Sequence, residues 1–430
     1  MKNLVFAFCA LVALGSSIAE AAVTVTSVKQ RWPFSGKVDV DFTLEASEPQ
    51  DILFGFTYTG QLAPQNITNR WLDATVYGAT NGVNHFVFDP ADYGLSDVAL
   101  PNLTFTTVWA TNVSERLYIV LDGPTGSYEF LKDTPVDGWT QTVYKTQKTP
   151  FRRVSAGTYQ LGNTDAELKA VLGRNASAAE KRSMGKRFVT LSCDYYIALF
   201  PLTYGQESYL RGTTSSRLES YQSSYAYFRG NTNGTDATMD VNWPHTGVGQ
   251  VLADSWVDTV NRRFGNKFVL DLPTDAQFEV AIRAGTTTIF FNGGDENSTK
   301  DELERLWLEF SCPSSPGKED VGLRSPNQWN IYNPQGMNQY WCLDAVSTTE
   351  VGWKDNINPG PEGFDPIGDV VLTGCPMQRV AHGNGYSSCG AVGWRRCAPP
   401  DKLWSEKDSK WNEYKVAIRP AIHLADPRER

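Results

Sequence analysis

The stretch from Leu272 to Gly285, Leu-Pro-Thr-Asp-Ala-Gln-Phe-Glu-Val-Ala-Ile-Arg-Ala-Gly, constrains the fold most, because it specifies a helix together with both of its ends. Thr274 is an N-cap whose hydroxyl can accept from the backbone N–H of Gln277, and the Gln277 side chain can reach back to the N–H of Thr274, which makes a capping box. Asp275 and Glu279 fall where the positive end of the helix dipole favours them, and Arg283 falls in the last turn, where a cation is favoured. Gly285 is placed to supply the left-handed residue that ends the helix. Phe278, Ala281 and Ile282, spaced i, i+3 and i+4, are expected to form one buried face.

A chain of 430 residues is too long for one ordinary domain. Met1 to Ala21 carry Lys2, an apolar run from Leu4 to Leu14 and the small-x-small triplet Ala19-Glu20-Ala21, the pattern of a secretory leader cleaved before Ala22. The apolar run falls short of the roughly 20 residues a membrane span needs, and no later stretch qualifies, so an exported protein, periplasmic or extracellular, is expected. A net charge of −9 argues against nucleic acid as a partner. Six cysteines remain once Cys9 leaves with the leader: Cys193, Cys312, Cys342, Cys375, Cys389 and Cys397. An even count in an exported chain suggests disulfides, with the pairing open.

Residues 22–146 show period-two patterning. Val38, Val40, Phe42 and Leu44 alternate with Asp39, Asp41 and Thr43, and Leu117, Ile119 and Leu121 repeat the device. Further strands are predicted at Ile52 to Tyr58 and Leu103 to Trp109. A small antiparallel β-sandwich is the economical reading, serving as a structural or spacer unit with Trp32 packed in its core. The polar stretch Lys145 to Pro150 has no periodicity and marks the boundary to a second domain over 150–426.

The 272–285 run resembles the signature helix of the sulfatase-modifying-factor family, the formylglycine-generating enzymes and their relatives. Other segments extend the likeness from about Phe151 to Leu424. They are Phe151 to Gly162, Phe188 to Ile197, Pro201 to Gln206, Val241 to Pro244, Asn327 to Tyr332, Gly336 to Asp344, Val370 to Gly374 and Val416 to Ala421. The resemblance implies an α+β, loop-rich domain, the formylglycine-generating-enzyme variant of the C-type-lectin fold.

The family's enzymes oxidise a substrate cysteine with copper(I) held by two cysteines about five residues apart, a ligand set suited to a soft ion. The equivalent window here, Met377 to Tyr386, has no cysteine. Counting from the Val370 to Gly374 segment places the ligands near Arg379 and Asn384. Counting back from Trp394-Arg395-Arg396-Cys397-Ala398 places the second near Val392. Cys375 and Cys389 are the catalytic candidates on the oxidase reading, and Cys375, Cys389 and Cys397 are disulfide partners on the other.

Where the family has Asn and Glu ligands for a structural calcium, this chain has Met337 and Tyr340. A second calcium loop would fall on Gly293 to Asn297, with Asp295 and Asn297 as ligands, or that stretch is a solvated lead into a charged helix from Lys300. The superfamily's iron enzymes use clustered histidines, whereas His85, His245, His382 and His423 are scattered. Two functions stay open. One is an exported protein whose domain has lost its chemistry and binds a peptide, glycan or surface protein through His382, Asn384, Tyr386, Trp394 and Arg395, with Trp353 and Trp404 nearby. The other is an active copper oxidase.

Overall fold

The computed structural model describes residues 21–33, 35–67, 72–178, 181, 184–212, 250–310, 320–334, 339–347, 363–364, 377–382, 395–398 and 416–424. No described helix is long and apolar enough to cross a membrane. Residues 1–20 of the expected leader lie outside the described residues, and Ala21 packs against the core of the N-terminal unit.

The N-terminal unit follows its alternation. Ala22–Gln30, Val38–Glu45 and Gly82–Phe88 form one antiparallel sheet. Gln50–Thr57 pairs antiparallel with Gln65–Asn66, Val76–Ala79 and Thr104–Asn112 in a second. Val40, Phe42 and Leu44 are buried and share an apolar core with Ile52, Phe54 and Phe56 from the second sheet. Phe42 meets Phe54 edge-on at 5.2 Å between ring centroids, and Phe54 stacks on Phe86 at 5.0 Å. Each such ring contributes about 1.5–3 kcal/mol by leaving water.

Two expectations for this unit are corrected. Trp32 is 87% exposed, not core. It sits in the short connection between Ala22–Gln30 and Val38–Glu45, outside both strands and so outside the alternation that turns side chains to the core. The strand around Ile119 also belongs elsewhere. Tyr118, Ile119, Val120 and Leu121 are all buried, so this is an interior strand covered on both faces rather than a half-exposed one. Its place is in a six-stranded antiparallel sheet, ordered Val269–Asp271, Ala421–His423, Tyr195–Ala198, Lys148–Val154, Tyr118–Asp122 and Ser127–Leu131. Phe151 faces Ile119 and Pro150 faces Val120 in register.

The sheet therefore runs across the polar stretch expected to be a linker. Thr142–Thr146 is a short helix, and Lys145, Thr146 and Thr149 are buried. Thr203 donates its hydroxyl to the Lys145 carbonyl (2.6 Å), and Gln206 donates from Nε2 to the Tyr144 carbonyl (2.8 Å). Polar residues without periodicity here mark a backbone satisfied by a neighbouring helix rather than by water.

A buried ion cluster ties the N-terminal unit to this sheet. Arg153 donates from both terminal nitrogens to Asp51 (2.7 Å each) and from Nε to Asp194 (2.6 Å). Asp51 Oδ1 also accepts from the Gly78 N–H (3.0 Å), and Asp194 Oδ1 from the Ala156 N–H (2.7 Å). A bidentate guanidinium–carboxylate pair away from water is strongly directional, and it sets the register between the two units.

Candidate functional site

The helix Asp275–Arg283 has the predicted entry: the Gln277 N–H donates to Thr274 Oγ1 (3.1 Å) and the Thr274 N–H to Gln277 Oε1 (2.9 Å). Its exit differs by one residue, since Ala284 is already left-handed (φ 49°) and donates its N–H to the Val280 carbonyl, with Gly285 following at φ 87°. The larger correction is burial, because all nine residues are buried, charged ones included. Glu279 Oε1 accepts from the Gly162 N–H (2.7 Å) and from Arg283 Nε (2.9 Å), and Oε2 accepts from Arg187 (2.8 Å). Arg283 donates on to the carbonyls of Gly162 (2.6 Å) and Thr288 (3.1 Å). One carboxylate between two guanidiniums is tolerable inside because its acceptor sites are filled by donors.

The same helix locks the surrounding loops. Asn327 donates from Nδ2 to the carbonyls of Ala281 and Ile282 (2.8 and 2.9 Å), filling acceptors that a helix C-terminus leaves open. Asp344 accepts the Asp275 N–H at the other end (2.5 Å). Arg419, fully buried, donates to the carbonyls of Ala198, Leu199, Tyr332 and Asn333 (2.7–3.0 Å). Burial pushes its guanidinium below the usual arginine range, with Tyr340 opposing the shift. Tyr340 packs on Phe278 at 5.1 Å and donates its hydroxyl to the Asn333 carbonyl (3.0 Å). At the position matched to a calcium-binding Glu, the chain thus has an aromatic ring wedged against the helix. Met337 lies outside the described residues.

Beside this helix, Arg395–Ala398, Met377–His382, Gln339–Ser347 and Val416–Ala417 form a four-stranded sheet. The register sets Arg395 opposite His382, His382 opposite Tyr340 and Tyr340 opposite Ala417. Two of the expected binding residues, His382 and Arg395, are therefore Cα partners at the end of one antiparallel pair, and Cys397 is opposite Val380. Asn384, Tyr386, Cys389 and Trp394 belong to the 383–394 connection between those ends and lie outside the described residues, as do Cys375, Trp353, Trp404 and the Val370 to Gly374 segment.

Asp295 and Asn297 are exposed and make a turn. Asp295 Oδ1 accepts from the Asn297 N–H (2.9 Å) and the Ser298 hydroxyl (3.2 Å). Thr299 and Glu302 then cap the helix Lys300–Phe310, whose Leu303, Trp307 and Phe310 are buried. His423 is buried scaffold, with Nε2 2.9 Å from the Leu272 carbonyl, and His85 sits in the N-terminal unit between Asp39 and Asp41. Cys342, on the strand beside the signature helix, is fully buried in the apolar core with Sγ 3.8 Å from the Tyr340 carbonyl, a setting that does not fit a copper(I) thiolate open to substrate. Among the described residues no group of three or more His, Cys, Asp or Glu suits a metal ion.

One titratable residue was missed. Glu207, on the helix Tyr204–Leu210, is buried at 2% side-chain exposure with Arg211 Nε 2.6 Å from Oε1. Burial pushes its carboxyl up to about 7, and the Arg211 charge only partly opposes this. The sequence signal was present, since Glu207 is three residues from both Tyr204 and Leu210 and so shares their buried face. Below about pH 4.5 both folded and unfolded chains hold this proton and the full stability is present. It is lost as pH rises towards 7, where the folded carboxyl ionises, and the loss levels off above. The interval from 4.5 to about 7, at ~1.4 kcal/mol per pH unit, amounts to about 3 kcal/mol. Glu207→Gln should remove that slope and be the more stable protein at pH 8 in urea titrations, and parallel pH profiles for the two proteins would refute the assignment.

Comparison with known proteins places these elements. The family described as the sulfatase-modifying factor enzyme 1-like domain matches residues 139–414, a match that begins ahead of the polar stretch. Among solved structures, PvdO from Pseudomonas aeruginosa is similar, at 17% identity and a TM-score of 0.42, covering 64% of this chain and 94% of that one. No curated protein matches.

Proposed function

Because the chain belongs to the sulfatase-modifying-factor family, we propose that it is an exported member whose domain binds a peptide, glycan or surface protein and has given up copper-dependent oxidation. On this reading the domain is the loop-rich, C-type-lectin-like variant and the N-terminal unit is a β-sandwich. The observation that carries it is the placement of cysteine. The strand Met377–His382 has none, and Cys375, Cys389 and Cys397 are separated by 14 and 8 positions (389 − 375 and 397 − 389). Two thiolates holding copper(I) for a third from substrate need a close pair. The frame supports the same reading from the other side: the residues kept are those that cap, clamp and neutralise, such as Thr274, Glu279 and Arg419.

The binding surface on this reading is the end of the strand pair at His382 and Arg395, with Asn384, Tyr386 and Trp394 on the connection between them. Thiol counting on the exported protein, with and without copper(I), tests it. Alkylation before reduction should reach no thiols beyond those of Cys193 and Cys342, and copper(I) should change nothing. Two reactive thiols that bound copper protects would return the chain to the oxidase class, as would turnover of a cysteine-containing peptide.

A further inference from the structure

The N-terminal unit carries a groove of about 900 Å³, within the ~300–1,000 Å³ range of ligand pockets. Val38, Leu95 and Leu100 supply apolar lining, and all three pack against the core between the two sheets. Gln30, Ser35 and Asp97 add polar groups. Gln30 and Ser35 belong to the two ends of the turn that carries Trp32, which the Arg31 N–H to Lys37 carbonyl bond closes (2.9 Å). Trp32, 87% exposed, is thus on a turn flanked by two residues that line the groove, though it is not itself part of the lining.

The charges there decide the chemistry of the occupant. Lys37 is paired with Asp89 (3.2 Å) and Arg31 with Asp39 (3.6 Å), so both nearby cations already face carboxylates. Asp89 also accepts the Ala91 N–H. The side chains of Gln30, Ser35 and Asp97 make no hydrogen bond or ion pair among the described residues. An anionic ligand would meet no uncompensated cation and one uncompensated carboxylate. A neutral ligand with many hydroxyls would find an amide, a hydroxyl and a carboxylate, together with an indole face for its aliphatic side.

We propose that the groove beside Trp32 binds a neutral oligosaccharide, with Trp32 stacking on a sugar ring and Gln30 and Asp97 bonding ring hydroxyls. This makes the N-terminal unit a recognition module, and it does not depend on what the C-terminal domain does. Calorimetry on the full mature chain with cellohexaose, xylohexaose and mannohexaose tests it, with a heparin hexasaccharide and an uncharged peptide alongside. At least one neutral hexaose should bind, and Trp32→Ala and Gln30→Ala should each weaken it by about tenfold or more. Their Tm should stay unchanged, because both side chains are exposed. Absence of binding by all three neutral sugars overturns the proposal. So does binding that survives Trp32→Ala, or binding confined to heparin or the peptide.

Discussion

Glu279→Gln is expected to cost about 3–5 kcal/mol of folding stability, the range for removing one partner of a buried ion pair. The carboxylate lies between Arg187 and Arg283 and also accepts the Gly162 N–H. Gln keeps the shape but offers one acceptor oxygen and no charge, so Arg283 loses its carboxylate and Arg187 keeps only Asp275, at 3.7 Å. The urea midpoint should fall with an unchanged slope. Replacing Glu279 and Arg283 together with Met should recover part of the loss, because the second change removes the charge that the first leaves without a carboxylate. A single-mutant loss below about 1 kcal/mol would mean that water reaches the cluster and that the helix is not the sealed interior element described.

Asp51→Ala should have the second-largest effect, about 3 kcal/mol, and its location matters as much as its size. Asp51 is on the strand Gln50–Thr57 of the N-terminal unit, yet it bonds both terminal nitrogens of Arg153 on the Lys148–Val154 strand of the six-stranded sheet. Asp194 remains on Arg153 Nε, so the guanidinium keeps one carboxylate and the loss stays below that of a fully stranded charge. Hydrogen exchange should quicken in the 148–154 strand as well as in 50–57. Faster exchange confined to 22–112 would show the two units to be independent.

Much of the frame was legible because it is written in local signals. The Thr274–Gln277 capping box needs only four consecutive residues, and the alternation at Val40, Phe42 and Leu44 needs only one strand. The strand around Ile119 joins a different sheet from the one its alternation suggests, because alternation reports a buried face and not the partner strand. Apolar residues at Tyr118 and Val120 were the sign that both faces are covered. Glu207 and Trp32 failed in opposite directions: a carboxylate on an apolar face is buried, and an indole in a short turn is exposed. In each case geometry overrode the ordinary preference of the residue type.

The candidate site divides the same way. The absence of a close cysteine pair is a matter of spacing and was readable at once. That His382 stands opposite Arg395 and Tyr340 is a matter of register, which no spacing discloses.

By itself the sequence determined the capped helix at 274–283, the alternating N-terminal strands and the family, since each is carried by residues close together in the chain. Only the tertiary structure decided that every residue of that helix is buried, that the 118–131 strands join the second unit's sheet, and that Asp51 binds Arg153. The physical reason is that a buried charge needs a counterion or a full set of hydrogen bonds, and both are supplied by residues far apart in the chain. Glu279 finds Arg187 92 positions away and Asp51 finds Arg153 102 positions away, distances at which folding, not local pattern, chooses the partner.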